Sequence, residues 1–234
     1  MCGIFGYVGL KPCQNLIFKG LKTLEYRGYD SAGIASLSKN NKISLVKRKG
    51  KLSSLEKALQ TSSNEDSIGI GHTRWATHGL PNDINAHPHI TEEIALIHNG
   101  IVENFLEIKK ELEKENFDFI SETDSEVVLK LIQHNFNQTN CLEESLLKTI
   151  SVLKGSFALG VFSPKKPDSL YLAKKKSPVI IGKGNSENLF ASDILALTPH
   201  TEEFVFLKDN QVAHLTNNSI EIKNFDGESV DFKL

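Results

Sequence analysis

The sequence predicts an α+β layered domain built mainly on antiparallel sheet. Three observations carry that prediction. Strand-like and helix-like segments come in blocks and do not alternate strictly, which argues against a doubly wound parallel sheet. Three helical patterns cluster between residues 103 and 153. From Gly155 onward, short strands follow one another, divided by turns.

The elements follow in order. Gly3 to Val8 is a short, mostly apolar strand with small residues. Pro12 suits the first turn of a helix, where its missing N–H is harmless. Leu16, Ile17, Leu21 and Leu24 continue at helical spacing, and Gly28 stops the pattern. Residues 31–37 and 42–48 alternate as strands, and a short helix is expected over 52–60. Residues 67–73 form a strand, the proline-bearing stretch 79–89 a loop, and 93–98 a strand ending at Asn99-Gly100. Helices are expected over 103–115, 124–137 and 142–153, with Thr123 as N-cap in the capping box "TDSE". "GKGNSEN" at Gly182–Asn188 lacks the ending of a phosphate-binding loop and fits a hairpin loop; "FDGES" is a second hairpin signal.

Composition bounds the function. The chain has 234 residues, 39% hydrophobic and 24% charged, enough to bury a core without disulfides. Its 27 basic and 29 acidic residues argue against a dedicated nucleic-acid binder or a polybasic membrane anchor. No apolar run approaches the ~20 residues of a membrane span, and no secretory leader is visible, so a cytoplasmic protein is expected. Cys2, Cys13 and Cys141 are an odd, widely spaced set that fits reduced thiols. Cys13 and Cys141 receive no role.

Cys2 is the first chemical candidate. If Met1 is removed, Cys2 carries a thiol and a free α-amine on one residue. An α-amine titrates near ~7.7–8.0, so part of it is neutral at cytosolic pH and can take the thiol proton. Against this stands the bland alternative of a small buried hydrophobe near a terminus. "GHTRWATHG" at Gly71–Gly79 places Arg74 at a strand end, where its guanidinium can grip a carboxylate. In "HNGIVEN", Asn99-Gly100 reads as a tight turn, as an oxyanion hole made of the Asn99 amide and the Gly100 N–H, or as both. Asp124, in the first turn of a helix, either compensates the helix dipole or binds an ammonium group. Arg74 and Asp124 together would hold both ends of a free α-amino acid. Five histidines lie between His72 and His98, with His87 and His89 two apart. No cysteine pair or H-E-x-x-H motif accompanies them, so a metal is not expected.

Taken in order, "CGIFGYVG", "LEYRGYDSAGIA", "GHTRWATHG", "NAHPH", "HNGIVEN" and "SETDSE" resemble the glutamine–fructose-6-phosphate aminotransferase family. The resemblance runs over essentially the whole chain, through "FASD" at Phe190–Asp193. It implies a class II glutamine amidotransferase (glutaminase) domain over residues 1–234 with its mature start at Cys2. The implied fold is the four-layer α/β/β/α sandwich of N-terminal nucleophile hydrolases. The implied chemistry is hydrolysis of L-glutamine by Cys2, without cofactor or metal. Asn99 and Gly100 match the oxyanion hole, and Arg74 and Asp124 the binders of the α-carboxylate and α-amine. Thr77 and His78 look like glutamine-pocket residues, Arg27 like a support for the nucleophile region, and Trp75 like the residue that gates ammonia passage. Full family members carry two sugar isomerase domains that this chain lacks, so the chain alone is expected to perform the glutaminase half-reaction and to be monomeric. Two other classes stay open at this point: an amidotransferase serving another acceptor, and a non-catalytic module that binds glutamine as a sensor.

Overall fold

The structure, a computed structural model, describes residues 2–60, 65–75 and 79–234. Met1, Thr77 and His78 therefore lie outside the described residues.

The chain runs β1 (Gly3–Gly9), α1 (Cys13–Thr23), a 3-10 turn (Glu25–Arg27), β2 (Ser31–Leu37), β3 (Ile43–Lys49), α2 (Leu52–Leu59) and β4 (Ile68–Arg74). It continues through β5 (His89–Ile90), β6 (Ala95–Val102), α3 (Phe105–Lys114), α4 (Asp124–Thr139) and α5 (Leu142–Val152). Then follow β7 (Gly155–Phe162), β8 (Leu170–Lys175), β9 (Ile180–Lys183), β10 (Glu187–Ala191), β11 (Glu203–Phe206), β12 (Gln211–Leu215) and β13 (Ile220–Asn224). The strands form a seven-stranded sheet ordered β11-β9-β10-β1-β4-β2-β3 and a six-stranded sheet ordered β13-β12-β8-β7-β6-β5. Neighbouring strands in both sheets pair antiparallel.

Side-chain alternation explains the layering. Successive residues of a strand face opposite sides of its sheet. In β1, Ile4 and Val8 join Ile97, Ala158 and Phe190 in a core between the two sheets, whereas Phe5 and Tyr7 pack under α1 against Ile17 and Leu21. In β6 and β7, Leu96, Leu159 and Val161 face outward and are covered by Ile132 and Phe136 of α4 and Leu146 of α5. Burying both faces of both sheets gives four layers, α/β/β/α, the layering that the resemblance implies. Each large apolar side chain removed from water contributes about 1.5–3 kcal/mol. The glycines of "CGIFGYVG" serve this packing: a Cβ on Gly6 would lie 2.0 Å from the Phe190 ring.

Three local expectations need correction. Asn99-Gly100 is not a tight turn: β6 runs through it to Val102, with Asn99 opposite Ala158 and Gly100 opposite Phe157. A long partner strand overrides the local turn preference. Pro12 occupies the N-cap position of α1, one place before the first turn. The capping box at α4 is half formed. Thr123 Oγ1 accepts the Glu126 N–H at 3.2 Å, as expected. The Glu126 carboxylate turns instead to the backbone N–H groups of Ile120 and Ser121, the latter at 2.6 Å.

Both hairpin signals form turns. β9 and β10 pair across "GKGNSEN", and Gly184 N–H donates to the Glu187 carbonyl at 2.8 Å. At "FDGES", Asn224 N–H donates to the Glu228 carbonyl at 2.9 Å.

Candidate active site

Cys2 sits immediately before β1. Because Gly3 pairs with Thr73 of β4, the thiol lies beside the Arg74–Trp75 end of that strand. A cleft of about 280 Å³ opens there, and it is lined by Cys2, Arg27, Arg74, Trp75, Asn99, Gly100 and Asp124. Every described residue to which the resemblance assigns a role therefore lines one cavity, although they span 122 positions of the chain from Cys2 to Asp124.

The Trp75 backbone N–H donates to Cys2 Sγ at 3.2 Å, and the thiol donates to the Trp75 carbonyl at 3.4 Å. Burial pushes the Cys2 pKa above the ordinary thiol value, while the Trp75 amide and the Arg74 charge pull it down. The neutral thiol is thus the resting form, and a base is needed to make it nucleophilic.

Asn99 and Gly100 reach the cleft from the other sheet. Asn99 Nδ2 donates to the Cys2 carbonyl at 3.0 Å, which ties the two sheets together at the thiol. Gly100 has φ +132°, and a Cβ there would lie 2.1 Å from the Ser156 carbonyl oxygen. Only glycine fits there. Beyond Leu96, β6 pairs with β7 alone among the described residues. An amide and a backbone N–H set beside a thiol can stabilise a tetrahedral oxyanion.

Arg74 is buried at the end of β4, where its Nη2 donates to the Gly79 carbonyl at 3.3 Å and its Nη1 lies 4.0 Å from Asp30. Asp124 opens α4 behind the Thr123 cap. One of its oxygens accepts the Val102 N–H at 2.9 Å; the other accepts from Ser125 Oγ at 3.3 Å and lies 3.8 Å from His98 Nδ1. A fixed cation and a fixed anion in one small cleft suit a zwitterionic ligand.

Arg27 Nη1 donates to the Ser192 carbonyl at 2.9 Å and to Asp193 at 3.2 Å. Ser192 in turn takes the Ile4 N–H on its hydroxyl at 3.2 Å. The motifs "YRGYD" and "FASD" thus brace the strand that carries Cys2. Trp75 is half exposed at the rim, edge-on to Tyr29 at 5.5 Å between ring centres.

Below the cleft lies a histidine stack. His72 and His87 stack at 4.2 Å, and His87 meets His89 edge-on at 4.7 Å. Burial holds all three neutral, with His72 lowered to about 3 and His87 and His89 well below the usual histidine value. Among the described residues, no group of three His, Cys, Asp or Glu side chains is arranged to hold a metal. Sequence reasoning missed Ser156, Ser177 and Pro178 in the cleft wall, which come from residues without motif character. It also passed over Ser125, and it weighed His98 only as one of five histidines, although both stand inside quoted motifs.

A family model described as a glutamine amidotransferase domain matches residues 72–199. Glutamine–fructose-6-phosphate aminotransferase (isomerizing) of Aquifex aeolicus is 49% identical over 98% of this chain and 39% of that protein. The enzyme of the same name from Caldanaerobacter subterraneus is 46% identical over 100% of this chain and 38% of that protein. The chain thus spans about two fifths of the length of the curated relatives it matches. In fold it is similar to a glutamine phosphoribosylpyrophosphate amidotransferase from B. subtilis, with TM-score 0.83 and 23% identity over 96% of this chain and 49% of that one. By the match of the family model to more than half its length, this chain belongs to the glutamine amidotransferase domain family.

Proposed function

We propose that this chain hydrolyses the side-chain amide of L-glutamine to L-glutamate and ammonia through a γ-glutamyl thioester on Cys2. The observation that carries the proposal is the convergence of Cys2, Asn99, Gly100, Arg74 and Asp124 in one cleft. Removal of Met1 frees the Cys2 α-amine, which takes the thiol proton, directly or through a water. The thiolate attacks the amide carbon, and the carbonyl electrons move to oxygen. Asn99 Nδ2 and the Gly100 N–H stabilise that oxyanion by about 3–4 kcal/mol per donor. The oxyanion collapses, the C–N bond breaks, and the protonated amine returns its proton to the departing ammonia. Water then attacks the thioester, and glutamate leaves with the thiol restored.

Arg74 holds the α-carboxylate and Asp124 the α-ammonium, with Thr77 and His78 completing the pocket. Arg27 supports the nucleophile strand. Trp75, at the rim, gates the ammonia. Thiol, amine and oxyanion donors fill every role, so no cofactor is invoked. In the complete polypeptide, sugar isomerase domains receive the ammonia and convert fructose 6-phosphate to glucosamine 6-phosphate, in keeping with the names of the relatives. Among the described residues no helix is long and apolar enough to cross a membrane, in keeping with a cytoplasmic site of action. Cys2→Ala tests the reading: glutamine hydrolysis is abolished while the far-ultraviolet dichroism is unchanged. Glutaminase activity retained by that variant would end it.

A further inference from the structure

The oxyanion strand and the nucleophile strand belong to different sheets, and sheets packed through apolar side chains do not fix each other's position to a fraction of an ångström. The Asn99 amide ties them at the Cys2 carbonyl, and a second buried polar side chain bridges them beside it. His72 lies on β4 directly opposite Ile4, two residues from Cys2. Its Nε2 is 3.1 Å from the backbone carbonyl oxygen of His98 on β6. A carbonyl only accepts, so Nε2 carries the hydrogen and donates across the sandwich. That carbonyl belongs to the peptide unit that continues into the Asn99 nitrogen. The Asn99 side chain also sits against the imidazole, an interaction that partly offsets the burial of the ring.

The ring itself is held. His72 has no exposed surface. His87 stacks on it, His89 braces His87, and the hydroxyl of Thr123, the cap of α4, hydrogen-bonds His89 Nε2 at 3.0 Å. Burial keeps His72 neutral down to about pH 3, so its donor tautomer persists across the working range. The strand it grips needs such an anchor, because residues 97–102 pair only with β7 among the described residues.

We propose that His72 is a positioning residue for the oxyanion site: its bond to the His98 carbonyl sets where Asn99 and Gly100 present their N–H groups relative to the carbon attacked by Cys2. The proposal rests on the glutaminase reading of the cleft. It separates the placement of the oxyanion donors from the reactivity of the thiol, and the test uses that separation.

Three variants are compared with the unaltered chain. His72→Phe fills the space without a donor. His72→Gln offers an amide nitrogen near the place of Nε2, and His72→Asn offers one nearer Nδ1. Each is assayed for glutamine hydrolysis and for alkylation of Cys2 by iodoacetamide. That alkylation displaces iodide at a saturated carbon and develops no oxyanion. His72→Phe is expected to lose about 10- to 100-fold in kcat with KM within about 3-fold, the size of effect that small misplacements produce. His72→Gln recovers to within about 5-fold of the unaltered chain, and His72→Asn does not. Alkylation rates stay within about 2-fold throughout.

Full kcat in His72→Phe, or alkylation falling in step with kcat, would overturn the proposal and leave the glutaminase reading standing. Should His72→Phe fail to fold, the Gln and Asn variants decide, and equal kcat in those two would overturn it. An unaltered chain that alkylates at Cys2 but does not hydrolyse glutamine would overturn the reading of the cleft itself.

Discussion

Replacing Gly100 with alanine is the sharpest perturbation of the oxyanion strand. The position has φ +132°, and the added Cβ would stand 2.1 Å from the Ser156 carbonyl oxygen, 2.8 Å from its carbon and 2.9 Å from Phe157 Cα. All three are backbone atoms of the paired strand β7, so nothing can rotate away. The backbone conformation alone costs about 1–3 kcal/mol for a residue with a side chain. Forcing the strands apart adds about 1–3 kcal/mol, the usual size of an overpacking penalty. The sum, about 2–6 kcal/mol, corresponds to a fall in Tm of roughly 5–20 °C for a chain of this size. Gly227 provides the control. It has φ +89°, but nothing lies within 4 Å of an added Cβ, so Gly227→Ala bears only the conformational term. Melting curves by circular dichroism compare the two. Gly100→Ala melts lower than Gly227→Ala by several degrees; equal melting temperatures would refute the claim that close approach of β7 is what demands glycine at 100.

Other consequences follow from the same geometry. Asn99→Ala removes one oxyanion donor and lowers kcat for glutamine hydrolysis about 100- to 1,000-fold with a smaller change in KM, read from steady-state kinetics. Asp124→Asn keeps an oxygen for the Val102 N–H but loses the charge, so KM for glutamine rises at least about tenfold while Tm changes little; an unchanged KM removes Asp124 from the pocket. Acid should destabilise the fold in a defined window. The buried histidines have folded pKa values below their unfolded ones, so the unfolded chain binds more protons once pH falls below about 6.5. Stability is full above that value and falls on acidification, toward about pH 3 for His72, by a little over 1 kcal/mol per pH unit for each site. Urea titrations between pH 7 and 5 measure this slope, and a flat profile would contradict buried neutral histidines.

Much of this fold was legible because its strands obey a two-residue period and its helices a 3.6-residue one. Ile4 and Val8 against Phe5 and Tyr7 illustrate the first, and Ile17 and Leu21 the second. The site was legible because its chemistry is concentrated in short motifs: Cys2, Arg74, Asn99-Gly100 and Asp124 each stand out by residue type. Relations across the chain were not. Nothing near Asn99-Gly100 announces that β7, more than fifty residues away, will draw both into a strand. The anchoring of Arg27 by Ser192 and Asp193 spans 165 positions or more, and no local pattern encodes it. The histidine stack was visible only as a count of residues. Its use in joining two sheets depends on sheet packing, which periodicity does not specify. Glu126 shows the same limit on a small scale. The capping-box pattern located the helix start correctly, yet the carboxylate takes the N–H groups of Ile120 and Ser121, and the N–H that the pattern assigns to it goes to Ser121 Oγ.

The central claim is that Cys2 becomes an N-terminal nucleophile facing a glutamine-shaped pocket. Intact mass spectrometry after brief treatment with 6-diazo-5-oxo-norleucine, an alkylator with the shape of glutamine, tests it most directly. The account predicts loss of one methionine and a single adduct that maps to Cys2, blocked when excess glutamine is present. A retained Met1 with no adduct, or labelling of Cys13 or Cys141 in place of Cys2, would contradict it.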